Sequence, residues 1–116
     1  MENAILAKSK DFAIKAIKLY QHLCSEHKEY VLSRQFLRSG TSIGANVREA
    51  VNAYSKKEFA AKMGIALKEA SETIYWLELF VETGYIKQEQ FNSIYAESRE
   101  LIRLLVSIVK SSKLEK

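Results

Sequence analysis

The thirteen residues from Arg38 to Ala50, RSGTSIGANVREA, place two glycines inside a segment whose apolar side chains keep helical spacing. At about 100° per residue, Leu32, Phe36, Ile43, Val47, Ala50 and Tyr54 fall on one side of a helix. Arg34, Arg38, Thr41, Ala45, Arg48 and Asn52 fall opposite. One face reads as core and the other as a basic stripe. Gly40 and Gly44 each cost about 1 kcal/mol relative to alanine inside a helix. The spacing therefore predicts a compensating contact, the close approach of a second backbone. Ser39, Ser42 and Ala45 thin the same stretch, so a neighbouring helix is expected to sit close there.

The rest of the chain extends this pattern. With no proline and four glycines, it has few places for strands, long loops or linkers. A first helix over about residues 3–25 aligns Ile5, Phe12, Ala16, Leu19 and Leu23, with Leu6, Ile17 and Tyr20 widening the stripe. The second is expected from about Glu29 to Tyr54. Ser55 and Glu58 have the spacing of a capping box, in which the serine hydroxyl accepts an exposed backbone N–H and the glutamate reaches back to the capping residue's own N–H, so a third helix begins there. Its stripe is Phe59, Met63, Ala66, Ala70, Ile74, Leu77 and Val81, and Gly84 is placed to supply the left-handed residue that ends it. A fourth helix from about Gln88 carries Phe91, Ile94, Tyr95, Leu101, Ile102, Leu105, Ile108 and Val109. The lysine-rich tail from Lys110 complements its negative end. Short connections favour antiparallel neighbours. The expected fold is all-α, an antiparallel up-down-up-down four-helix bundle forming a single domain over residues 1–116.

Charge narrows the classes of function. The 18 basic and 14 acidic side chains give a net charge of +4, which permits nucleic-acid or anionic partners without requiring them. The excess is polarised. Residues 31–60 carry five basic and two acidic groups, whereas residues 61–86 carry two basic and four acidic. Such polarity suits either nucleic acid or a complementary junction between identical subunits. Cys24 is the only cysteine, which fits a reducing cytoplasm. No secretory signal is visible and no run is apolar enough to span a bilayer, so a cytoplasmic protein with no membrane partner is expected.

Several residue groups are candidates for function. Arg34, Arg38 and Arg48, extended by Lys56 and Lys57, form the nucleic-acid candidate, because guanidinium groups contact phosphates in pairs of hydrogen bonds. The same stripe is equally read as half of an ion-pair seam whose acidic half is Glu69, Glu72 and Glu78. No aromatic-lined groove or RNA-binding signature accompanies the arginines, so the recognition expected is of backbone and shape. On the third helix Ile65, Trp76 and Leu79, with Tyr75 beside them, form a second apolar line. Either a neighbouring helix covers it or it is a subunit contact, since tryptophan is enriched where surfaces meet. Ser42, Asn46, Glu49, Ser55, Glu58, Glu69 and Glu72 are read as structural polar residues, with Thr41, Ser42, Asn46 and Glu49 bonding across the bundle.

Enzymatic and cofactor readings are weak. Arg38, Asn46, Glu49 and Glu69 could be gathered into a site, but no nucleophile has an evident base and orienting group. His22, Cys24 and His27 can all ligate zinc, yet histidines five apart diverge by about 140° on a helix and no fourth ligand is clustered. Gly40 and Gly44 lack the lysine and hydroxyl of a phosphate loop. No catalytic residue, metal, cofactor or small-molecule substrate is expected.

RSGTSIGANVREA, followed by YSKKEF and ALKEASETIYWLEL, resembles the small bacterial four-helix-bundle proteins called 23S rRNA-intervening-sequence proteins. The agreement runs through nearly the whole chain and includes Arg38, Ser42, Ile43, Asn46, Glu49, Ser55, Glu58, Phe59, Ala66, Glu69 and Glu72. The resemblance implies a homopentameric ring, and with it an RNA or ribonucleoprotein partner, since a retroelement accessory protein of similar fold binds nucleic acid. Where members of that family often carry a proline before the second helix, this chain reads Lys28, Glu29, Tyr30. The expected protein is a non-enzymatic ring-forming bundle that binds RNA by repeating weak phosphate contacts at fixed geometry. The alternative is a protein-interaction scaffold with no nucleic-acid role.

Overall fold

The computed structural model describes the backbone of residues 2–114 and the side chains of residues 4–113. Four helices order them: α1 (Glu2–His27), α2 (Leu32–Val51), α3 (Lys56–Glu82) and α4 (Gln88–Leu114). Residues 115 and 116, the end of the lysine-rich tail, lie outside the described residues. Connections of four or five residues reach at most about 18 Å, whereas a helix of 27 residues is about 40 Å long. Each helix therefore runs back along its predecessor, within a body of 48 × 21 × 19 Å. α1 packs on α2, α2 on α3 and α3 on α4. α4 approaches α1 less closely than the other neighbours approach one another, and there Lys8 pairs with Glu100 and Lys15 with Glu97.

The two glycines of α2 answer the expectation placed on them. A Cβ on Gly40 would stand 2.9 Å from the Ala16 Cβ of α1, and one on Gly44 would stand 3.3 Å from the Ser9 carbonyl oxygen. Their absent side chains let α1 and α2 close together, with the Ser9 backbone against Gly44 and the Ala16 methyl against Gly40. The core then fills from all four helices, with Phe12, Phe36, Met63, Phe80 and Leu105 among the fully buried side chains. Phe36 and Phe80 meet edge to face at 5.6 Å, an arrangement that favours aromatic pairs. Among the described residues every buried side-chain nitrogen and oxygen has a hydrogen-bond partner. Ser39 and Thr73, buried between α2 and α3, place their hydroxyls 3.0 Å apart, and each also reaches a carbonyl of its own helix.

The ends of α2 differ from the sequence reading, which ran it from Glu29 to Tyr54. Glu29 is a cap. Its carboxylate accepts the N–H groups of Leu32 at 3.0 Å and Ser33 at 2.8 Å. Burial pushes this carboxyl up, but the Ser33 and Leu32 N–H groups outweigh it and hold it below the ordinary carboxylate range. The link that lacks a proline is thus pinned by hydrogen bonds. At the other end Ser55 turns extended and accepts the Glu58 N–H, the hydroxyl half of the expected capping box, while the Glu58 carboxylate reaches one residue further back than expected and accepts the Tyr54 N–H. Tyr54 leaves the helix and is wholly exposed, not part of the core. Gly84 takes φ +84° and ends α3 through Gly84 N–H to Val81 O and Tyr85 N–H to Phe80 O, the paired bonds of a Schellman motif. The α3 stripe is also rotated: Thr73 and Phe80 are buried, and Ile74 and Val81 are only half-buried.

The helical glycines test this packing. Gly64 of α3 has open space where a Cβ would go, so Gly64→Ala is expected to stabilise the protein by about 1 kcal/mol through propensity alone. Gly40→Ala must move Ala16 and is expected to destabilise it by about 1–3 kcal/mol. Urea midpoints of the two variants on opposite sides of the parent check both; coincident midpoints would deny the close approach its role.

Candidate nucleic-acid interface

The basic stripe of α2 divides into two parts with different duties. Arg38 reaches α3, where Nη1 donates to Glu69 Oε1 at 3.1 Å and Nη2 donates to Glu72 Oε2. Glu72 Oε2 also accepts the Trp76 indole N–H at 3.0 Å. One guanidinium thus joins two carboxylates and an indole along the α2–α3 seam. The Trp76 bond is the main cause holding the Glu72 carboxyl below its ordinary range; partial burial opposes it, and Arg38 adds to the lowering. Lys62 of α3 returns the exchange by pairing with Glu49 of α2 at 2.8 Å.

Arg34 and Arg48 are exposed, and neither belongs to an ion pair among the described residues. With Thr41 they recur every seven residues, so all three fall within one narrow stripe of α2. Arg48 and Thr41 line an open groove of about 280 Å³ between α1 and α2, whose other walls include Lys10, Ser9, Ala13 and Gly44. Among the described residues no acidic side chain lines it. The close helix approach at Gly44 forms its floor. Lys10 escaped the sequence reading because nothing local marks it; only the register of α1 against α2 brings it to Arg48.

The remaining polar residues work within the bundle. Thr41 Oγ1 donates to Leu37 O, Ser42 Oγ to Arg38 O, and Asn46 Nδ2 to Ser42 O. These bonds stay on α2, so of the residues expected to cross the bundle only Glu49 does. Lys56 and Lys57 open α3 as exposed residues. His22 and His27 rings lie 5.9 Å apart, His27 stands edge-on to Tyr85, and Cys24 Sγ points to Glu29 O at 3.7 Å. Among the described residues no group of three His, Cys, Asp or Glu side chains is placed to hold a metal ion.

On α3, Ile65 and Tyr75 are exposed, while Trp76 and Leu79 are half-covered, with Trp76 packed against the core. Two further apolar side chains, Ile14 and Ile17 of α1, are also exposed, although Ile17 was expected to widen the core stripe. α1 and α3 occupy opposite corners of the bundle, so the chain carries apolar surface on two unlike sides. No described helix is long and apolar enough to cross a membrane.

The model of the 23S rRNA-intervening sequence protein family matches residues 1–107. The chain belongs to this family. A solved structure from Bacteroides thetaiotaomicron, described as a protein of unknown function from the S23 ribosomal protein family, is 53% identical. It superposes with a TM-score of 0.93, over 94% of this chain and 97% of that one. No curated protein matches the chain. Membership of the 23S rRNA-intervening sequence proteins agrees with the helix order and with the resemblance carried by RSGTSIGANVREA.

The α2–α3 seam has its own reporter, since Trp76 is the sole tryptophan. A carboxyl with a depressed folded-state pKa contributes stability above its unfolded value and loses it as pH falls through the folded one. Protonating Glu72 below the ordinary glutamate value of about 4.3 weakens its bonds to both Arg38 and the indole. Trp76 emission is expected to change in that acid window before far-UV dichroism collapses, and Glu72→Gln is expected to abolish the step. Superimposable titrations of parent and variant would refute the coupling.

Proposed function

We propose that this family member is a non-enzymatic, cytoplasmic, ring-forming bundle that binds the phosphate backbone of RNA or a ribonucleoprotein. The observation that carries this reading is the α1–α2 groove, in which Lys10 and Arg48 are exposed and no acidic residue is among the described residues of the lining. Arg38 is assigned a different role, as it is already engaged by Glu69 and Glu72. One subunit offers too few cations for tight binding. A ring repeats them at fixed spacing, and linked weak contacts multiply. The apolar surfaces on opposite sides of the bundle support such an assembly, because a ring larger than a dimer needs two different contact faces. The family resemblance is what suggests five copies.

A scaffold without nucleic acid is the second reading, favoured by the exposed Ile65 and Tyr75. Mass and RNA affinity measured together separate the two. Replacing Lys10, Arg34 and Arg48 by alanine is expected to leave oligomeric mass unchanged and to flatten the dependence of log affinity on log salt. The slope should fall by about 0.7–0.9 for each phosphate no longer neutralised. Arg38→Ala is expected to keep the parental slope and to lower stability by no more than about 1 kcal/mol, since the pair is half-exposed. A parent protein with no salt-dependent RNA affinity at moderate ionic strength would leave only the scaffold. For the ring, Ile65→Glu with Tyr75→Glu is expected to lower the sedimentation coefficient; an unaltered profile would move the contact elsewhere.

A further inference from the structure

A second groove lies at the end of the bundle where α2 closes, just beyond Arg48 in the last turn of that helix. It encloses about 500 Å³ between the α2–α3 turn and the last turns of α4, and Tyr54, Lys56, Phe59, Ile108 and Ser111 are among its walls. Tyr54 is wholly exposed, although a tyrosine ring loses favourable burial when left in water. Its backbone is fixed by the capping box, through the N–H bond to Glu58 at 2.9 Å. The ring is therefore presented from a hydrogen-bonded turn, with no surface of the described residues against it. Phe59 supplies a second, half-buried aromatic, and Ser111 a hydroxyl. Lys56 lines the groove and Lys57 follows it; neither belongs to an ion pair among the described residues. The nearby carboxylate of Glu58 is occupied by the capping bond.

We propose that this groove takes one unpaired nucleotide of the bound RNA, with its base stacked on Tyr54 and its phosphate held by Lys56 and Lys57. The inference rests on the reading of an RNA partner and adds to it a preference for single-stranded segments. An aromatic face accepts any base, so the contact is indifferent to sequence. The volume falls within the range of about 300–1,000 Å³ typical of small-molecule sites. A mixed lining of aromatic rings, hydroxyl and ammonium suits a nucleotide better than an apolar helix. A duplex gains nothing here, because its bases are stacked on one another and closed to Tyr54.

The test compares affinities for an unstructured oligouridylate and for a fully paired RNA duplex. Tyr54→Ala is expected to weaken oligouridylate binding by at least about 5-fold, with duplex affinity and oligomeric mass unchanged. Tyr54→Phe and Tyr54→Trp are expected to restore it, since stacking needs the ring and not the hydroxyl. The side chain is wholly exposed, so all three variants are expected to fold, with unchanged far-UV dichroism. Parental oligouridylate affinity in Tyr54→Ala overturns the nucleotide site and leaves the phosphate groove standing. A changed mass overturns it in favour of a subunit contact at this end. A parent that binds neither RNA overturns both the site and the RNA reading beneath it.

Discussion

The backbone contact between α1 and α2 sets the geometry of the whole bundle. Gly40 against Ala16 and Gly44 against Ser9 fix the separation of the two helices and their register. That register determines which side chains of α1 point inward with Phe36 and Ile43, and which ones reach the outer surface beside Arg48. A glycine in a helix is unfavourable in isolation, by about 1 kcal/mol against alanine. Here the penalty is offset by van der Waals contact with the Ala16 methyl and the Ser9 backbone, and the same approach lies beneath the groove that Lys10 and Arg48 line.

Charge is sorted by helix pair. Between α2 and α3 it is matched, with Arg38 forked onto Glu69 and Glu72 and Lys62 answering Glu49. Between α1 and α2, on the side where Lys10 and Arg48 emerge, no acidic partner stands among the described residues. Exposed pairs contribute little to stability, so the α2–α3 set is better understood as fixing orientation: a planar guanidinium meeting two carboxylates tolerates one register. Unmatched cations have the opposite value, being free to attract phosphate from solution. Both patterns arise from one arginine stripe on α2.

Much of this was legible in the residues. The four helices, the capping box at Ser55 and the left-handed Gly84 follow from periodicity and local hydrogen-bond chemistry, which act over a few residues and leave clear marks. The role of Gly40 and Gly44 was readable because an unfavourable residue repeated within a strong pattern demands a reason. The end of α2 was misread because Tyr54 continues the apolar period that Asn52 and Ser55 interrupt; capping outweighed one aromatic side chain. Phe80 and Thr73 were passed over for Val81 and Ile74, since the core width on a helix depends on its neighbours. Lys10 and the groove beside Tyr54 depend on how distant segments meet, and no spacing within one helix encodes that.

The seam between α1 and α4 remains the thinnest of the four, joined in part by lysine–glutamate pairs whose members are exposed by about a third to a half. Salt weakens such pairs, and local opening concentrates where few apolar contacts hold. Amide protons flanking this seam should exchange ahead of those beneath Gly40.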